Sequence, residues 1–158
     1  MGKPTKKPNV AIVTGGNGFI GSHIVDALIE DYKFDEVRII DNLSSDAHEE
    51  FYYNKSLKVM NYRYDIADFN LIRPLFKGVS VVFHLAAESR IQPAIQNPTL
   101  ATRTNVTGTC NVLQAAREAG CDRVIYSSTS SAYGLKNTPP LKETMPNDCL
   151  NPYSVTKV

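Results

Sequence analysis

The stretch VTGGNGFIGSH, residues 13–23, joins the end of a β-branched apolar run to the start of a pattern with helical spacing. Gly15, Gly18 and Gly21 stand at T-G-x-x-G-x-x-G spacing. Glycines there permit a tight turn and let backbone N–H groups at a helix N-terminus approach a diphosphate. A glycine triplet alone also marks plain turns, but its place directly after the first apolar run predicts a site for a cofactor phosphate.

Working outward, the next apolar run, EVRIID, closes on Asp41, twenty residues beyond Gly21. A carboxylate at that point accepts hydrogen bonds from both hydroxyls of an adenosine ribose and leaves no room for a 2′-phosphate. NAD rather than NADP is the expected cofactor. Further runs, LKVMNYRYD, SVVFHLAA and DRVIYSS, bring the expected strands to five. The first, second, fourth and fifth are compact enough to be covered on both faces, and the alternating third reads as an edge.

Helical spacing separates these strands. After the first, Ile20, Ile24, Ala27 and Leu28 define an apolar face; before the fifth, Val106, Cys110, Leu113 and Ala116 do the same. Alternating strands and helices with right-handed crossovers give an α/β fold with a doubly wound parallel sheet, order 3-2-1-4-5. The proline-marked stretch from Gly134 to Asn151 reads as one long loop, a length that is usually functional or disordered.

Composition bounds the partners. The chain of 158 residues is 42% hydrophobic and 21% charged, the mixture of one globular domain, and its formal net charge of +1 advertises neither nucleic acid nor a membrane surface as partner. Residues 1–8 read as a disordered, solvated basic leader and residues 9–158 as the cofactor-binding domain. VAIVT is too short for the apolar stretch of a secretory signal. Cys110, Cys121 and Cys149 are odd in number and lack metal-ligand spacing, so buried, reduced thiols and a cytoplasmic location are expected. No metal is expected either: His23, His48 and His84 lie far apart, and the HEE at His48 lacks the second histidine of a zinc helix.

The motifs TGGNGFIGSH, DNLSS, YDIAD, FHLAAES, TNVTGT, SSTSSAYG and YSVTK occur in the order found in the extended short-chain dehydrogenase/reductases, and the chain from Pro8 onward resembles the NAD-dependent nucleotide-sugar epimerases and dehydratases of that family. The resemblance implies a Rossmann-like domain and assigns its residues. Phe19 and Ile20 would cross the diphosphate. Asp41, Asn42 and Ser44 would hold the adenosine ribose and its surroundings, and Asp65 and Ile66 would flank the adenine. Leu85, Ala86 and Ala87 would line the cofactor after the fourth strand, with Thr104 near the nicotinamide half and Asn105 beside it.

Tyr153 and Lys157 are four residues apart, a spacing that places two side chains on one helix face. In the family pattern the lysine binds the nicotinamide ribose and its charge favours the tyrosine as a base. Thr129, four residues before Tyr133, matches the hydroxyl residue that hydrogen-bonds the sugar hydroxyl being oxidised; Ser127, Ser128, Ser130 and Ser131 are its rivals.

Dehydratases and decarboxylases of this family carry an acid or base, usually glutamate, two residues before that tyrosine. Ser131 stands there instead. The resemblance therefore points to a 4-epimerase acting on a nucleotide diphosphate sugar of the UDP-hexose class by transient oxidation at C4, and to a homodimer for the full-length form. Two readings stay open: another keto-sugar enzyme of the family, such as a reductase, and a noncatalytic NAD-binding module. Family members run on for about as long again, with a smaller sugar-gripping region, so the expectation is an incomplete domain that is inactive by itself.

Overall fold

The computed structural model describes residues 8–45 and 52–158. The expected leader falls almost wholly outside the described residues, as does His48. A five-stranded parallel sheet runs in the order β3-β2-β1-β4-β5, with β1 Val10–Thr14, β2 Glu36–Ile40, β3 Val59–Tyr62, β4 Val81–His84 and β5 Arg123–Tyr126. The helices are α1 Phe19–Glu30, α2 Phe69–Ile72, α3 Ile91–Gln96, α4 Pro98–Ala101, α5 Thr109–Ala119 and α6 Pro152–Thr156.

Strand period explains the layering. In β1, Val10 and Ile12 belong to one apolar cluster with Ile72, Phe76 and Val112, while Ala11 and Val13 belong to another with Val25 and Leu28 of α1. Alternate side chains point to opposite faces, so β1 at the sheet's centre serves both cores. Ile12, Val13, Val82 and Val112 are wholly buried, and each such side chain stabilises the fold by roughly 1.5–3 kcal/mol. All strands therefore end at the same edge of the sheet, where β1, β2, β4 and β5 deliver Thr14, Ile40, His84 and Tyr126 side by side.

Four local expectations are corrected. In α1 the buried residues are Gly21, Ser22, Val25 and Leu28, and Ile20 is 60% exposed. Gly21 must face the glycine turn, because an added Cβ would penetrate the carbonyl oxygen of Gly15, and that contact rotates the helix away from its most apolar stripe.

The face of α5 is rotated too. A π-helical stretch, Thr102–Gly108, precedes it and buries Asn105 and Gly108; Val112, Ala115 and Ala116 follow. A π turn holds one more residue than an α turn, so a 3.6-residue period read across it slips out of phase. Val106 and Leu113 end up exposed, and Cys110 with them, which also overturns the expectation of buried cysteines; Cys121 and Cys149 are half-buried.

The fifth strand is not covered on both faces. It alternates exposed and half-buried residues, with Ile125 44% exposed, and β4 is its partner among the described residues.

Candidate functional site

A cleft of about 450 Å³ opens at the carboxyl ends of the strands. Its first wall is the glycine turn. Gly15 has φ +68°, and an added Cβ there would sit 2.8 Å from the Ala86 nitrogen, so β1 and the chain leaving β4 approach too closely for any side chain. Gly18 caps α1 in an extended conformation, and the Gly18 N–H donates to Gly15 O at 3.2 Å. Gly15, Gly18, Phe19, Ile20 and Gly21 all line the cleft.

The second wall is the turn after β2. Asp41 accepts one hydrogen bond on each carboxylate oxygen, from Asn17 N–H at 3.0 Å and Leu43 N–H at 2.9 Å. These bonds tie the turn to the glycine loop. Asn42 Oδ1 accepts from the N–H and hydroxyl of Ser44 at 3.1 and 2.7 Å, and all three predicted residues, Asp41, Asn42 and Ser44, face the cleft. Among the described residues no lysine or arginine pairs with Asp41.

Ile66, Leu85, Ala86, Ala87 and Thr104 also line the cleft. Asp65 does not. Its Oδ1 accepts from Ala67 N–H at 2.8 Å and its Oδ2 pairs with Arg103 at 2.6 Å, and it borders a neighbouring cleft of about 300 Å³ that shares Asn42, Ser44 and Thr104 with the first.

The far wall is α6. Asn151 begins it with a capping box: its Oδ1 accepts from Ser154 N–H at 2.9 Å, and its own N–H donates to Ser154 Oγ at 3.3 Å. Pro152 at the first helical position needs no N–H partner. The cap fixes where the turn starts, and so where Tyr153 and Lys157 lie. Both line the cleft, Lys157 as the residue that closes the helix. Ser128 holds that end by donating its hydroxyl to Lys157 O at 2.8 Å.

Asn105, carried on the π stretch, joins this wall to the rest. Its amide donates to Thr156 Oγ1 at 2.9 Å and to Glu88 O at 3.1 Å, and its Oδ1 accepts from Glu88 N–H at 2.8 Å. Thr129 is placed differently from the residues around it: its hydroxyl caps the 3₁₀ turn Ser130–Tyr133 by accepting from Ser131 N–H at 3.1 Å, while of the hydroxyl residues in the run after β5 it is Ser127 and Ser128 that line the cleft.

Beneath Lys157 lies a packed polar group. The ammonium sits 4.4 Å from the centre of the Tyr126 ring, and that ring stacks on His84 with centroids 5.5 Å apart. His84 is fully buried, with Nδ1 2.6 Å from Thr14 Oγ1 and Nε2 2.9 Å from Thr109 Oγ1. Burial, then the Lys157 charge, pushes its pKa down to about 4. Lys157 is itself 3% exposed, and loss of solvation pulls its pKa down to about 8. The role of Tyr126 has no signature in the sequence, since an aromatic residue in a strand reads as packing; only its place before the serine run could have drawn notice.

The family profile described as GDP-mannose 4,6 dehydratase matches residues 12–158. A UDP-glucose 4-epimerase of Streptococcus mutans is 32% identical over 150 residues, which are 93% of this chain and 44% of that protein. Among solved structures, the UDP-N-acetylglucosamine 4-epimerase of Methanobrevibacter ruminantium in complex with UDP-N-acetylmuramic acid superposes with a TM-score of 0.84 at 36% identity, covering 97% of this chain and 48% of that one. The dTDP-glucose 4,6-dehydratase of Streptomyces venezuelae, with NAD bound, gives 0.83 at 33% identity, covering 94% and 48%. The chain thus spans about half the length of the relatives it matches. With the glycine turn, the strand-end aspartate and the Tyr-Lys helix assembled on a 3-2-1-4-5 sheet, the chain belongs to the GDP-mannose 4,6 dehydratase family of extended short-chain dehydrogenase/reductases.

Proposed function

We propose that this chain is the NAD-binding part of a nucleotide-sugar 4-epimerase of the UDP-hexose class. The observation that carries the proposal is the single cleft with the Gly15–Gly21 turn on one wall and Tyr153 and Lys157 on the other.

The residues present fit NAD. The glycine turn leaves a cradle that a Cβ would fill, and the N-terminus of α1 offers backbone N–H groups to a diphosphate. An ionised carboxylate has about four lone-pair sites; the backbone takes one on each oxygen of Asp41, which leaves acceptors for a ribose diol. A 2′-phosphate would meet that carboxylate with no lysine or arginine paired to it among the described residues, which favours NAD over NADP.

NAD supplies a hydride acceptor that also returns the hydride, so none is consumed over a full cycle. The chain's part is positional and protonic. Lys157 would hold the nicotinamide ribose, and Tyr153, as its phenolate, would take the proton of the sugar 4-hydroxyl and give it back. Thr129, or Ser128 on the cleft wall, would hydrogen-bond the same hydroxyl. The homodimer and the cytoplasmic location belong to the same proposal, by likeness to the family.

A dehydratase is the second reading, favoured by the Streptomyces venezuelae relative. Against it stands the 3₁₀ turn Ser130–Tyr133, which carries Ser131 where the dehydratase pattern has an acid. The test is product analysis in a protein of the relatives' full length carrying these residues, supplied with NAD and UDP-glucose or UDP-N-acetylglucosamine. The 4-epimer by NMR supports the proposal; a 4-keto-6-deoxy sugar makes the enzyme a dehydratase, and stoichiometric NADH makes it a net oxidoreductase.

A further inference from the structure

We infer that Tyr126 is a positioning residue for Lys157: its ring is the seat of the buried ammonium, and stacking on His84 holds that seat in place. The inference rests on reading Lys157 as the ribose-binding cation of the cleft.

A buried ammonium requires a counter-charge or a polarisable partner. Among the described residues no carboxylate pairs with Lys157. What it has instead is the ring of Tyr126, 4.4 Å from Nζ to centroid, well within the range in which a ring quadrupole attracts a cation. The attraction is strongest where water is excluded, and Lys157 is buried.

The seat can hold the cation only if the ring itself cannot turn. The ring is held by stacking on His84, their planes 29° apart and their centroids 5.5 Å from each other. The proton positions in this group follow from counting. Thr14 Oγ1 accepts from the N–H groups of Leu85 and Ala86, both at 3.2 Å, the first shared with Thr14 O at 3.1 Å, so its acceptor side faces the backbone. Its own proton must therefore go to His84 Nδ1 at 2.6 Å. The neutral imidazole then carries its hydrogen on Nε2 and donates to Thr109 Oγ1 at 2.9 Å. A second proton on His84 would find no acceptor and would add a cation beside Lys157. His84 is thus a neutral spacer, fixed by Thr14 at the end of β1 and by Thr109 of α5, and the Tyr126 ring stacked on it lies beneath the cleft's cation.

The titratable groups around Lys157 are Tyr126 of β5, His84 of β4 and Tyr153 of α6; Glu88, after β4, and Asp41, after β2, line the same cleft. Of these, Tyr126 is the group whose removal leaves the ammonium without a partner.

The test follows the Lys157 side chain by NMR in the whole chain with ¹³C,¹⁵N-labelled lysine, the signal assigned by its loss in Lys157→Arg. The expected wild-type result is an upfield ring-current shift of the Lys157 side-chain protons and a depressed titration midpoint. Tyr126→Phe keeps both. Tyr126→Leu abolishes the ring-current shift and lowers the midpoint by about a further 0.5 unit, the equivalent of an exposed-to-buried cation–π contact. NAD affinity, measured separately by calorimetry, falls about fivefold or more in Tyr126→Leu and little in Tyr126→Phe. An unshifted Lys157 signal in the wild type overturns the inference without any variant, as does a Tyr126→Leu chain whose lysine titrates like the wild type. If the shift is present but NAD does not bind, the seat stands and the ribose reading of Lys157 falls.

Discussion

Asn105 and Thr156, 51 positions apart, are joined by a buried hydrogen bond of 2.9 Å from Asn105 Nδ2 to Thr156 Oγ1. Because the same amide group also bonds both backbone groups of Glu88, one side chain sets the distance between the loop after β4 and the helix that carries Tyr153. Asn105→Ala leaves those backbone groups without partners and should cost about 1–3 kcal/mol in urea unfolding. Asn105→Asp should cost at least as much, since it turns a donor into an acceptor facing a carbonyl. Unchanged midpoints in both would show that the bond carries no stability.

Gly21 lies where α1 meets the glycine turn, with no room for a Cβ against Gly15 O and the Gly16 backbone. Those neighbours are backbone and cannot swing aside. Gly21→Ala should therefore lower stability by about 1–3 kcal/mol, the usual cost of overpacking, and weaken NAD binding by displacing the N-terminus of α1. Gly120→Ala serves as a contrast: that site has open space around it, so only its positive φ of +67° opposes the change. Equal NAD affinity in Gly21→Ala and wild type would contradict the tight approach.

His84 gives the fold an acid-sensitive element of predictable sign. Its folded pKa of about 4 lies below the ordinary 6.5, chiefly from burial. The contribution is complete above about pH 6.5 and is lost as pH falls through about 4, because the unfolded chain takes the proton first. Summed over that window it amounts to roughly 3 kcal/mol. Unfolding free energies measured from pH 7 to 4 should fall with a slope approaching one proton, and His84→Gln should flatten it. Asp148 titrates lower: the backbone N–H of Lys136, then that of Leu135, holds its carboxyl below the usual carboxylate range. A slope unaltered in His84→Gln would place the acid sensitivity elsewhere.

Tyr153→Phe keeps the ring and removes the hydroxyl proposed to move the sugar proton. In a protein of the relatives' full length, turnover should drop by about 10²–10⁴ while NAD binding changes little. Thr129→Ala and Ser128→Ala separate the two hydroxyl candidates: the residue that meets the sugar shows the larger loss in kcat. Near-normal turnover of Tyr153→Phe would exclude it as the base.

The sheet order was legible because the inner strands are compact apolar runs and the third alternates as an edge strand does, and the glycine turn and Asp41 were legible because their spacing follows from backbone geometry. The faces of α1 and α5 were not. In α1 a close backbone contact at Gly21 outweighed the apolar stripe, and in α5 the π stretch before it broke the period on which any helical reading depends. Within the site, the resemblance places Asp65 beside the adenine, but its Arg103 partner, 38 positions away on the π stretch, is a tertiary contact that nothing local announces. The same holds for Tyr126: cation–π seats are made by tertiary contact, not by a spacing.

The most direct measurement is calorimetric titration of NAD and NADP into the chain and into its Asp41→Ala variant. One NAD site is expected, with NAD binding at least tenfold tighter than NADP and a preference that largely vanishes in Asp41→Ala, because a desolvated like-charge contact costs several kcal/mol. NADP binding as tightly as NAD to the wild type, or a preference that survives the loss of the Asp41 carboxylate, would contradict that expectation.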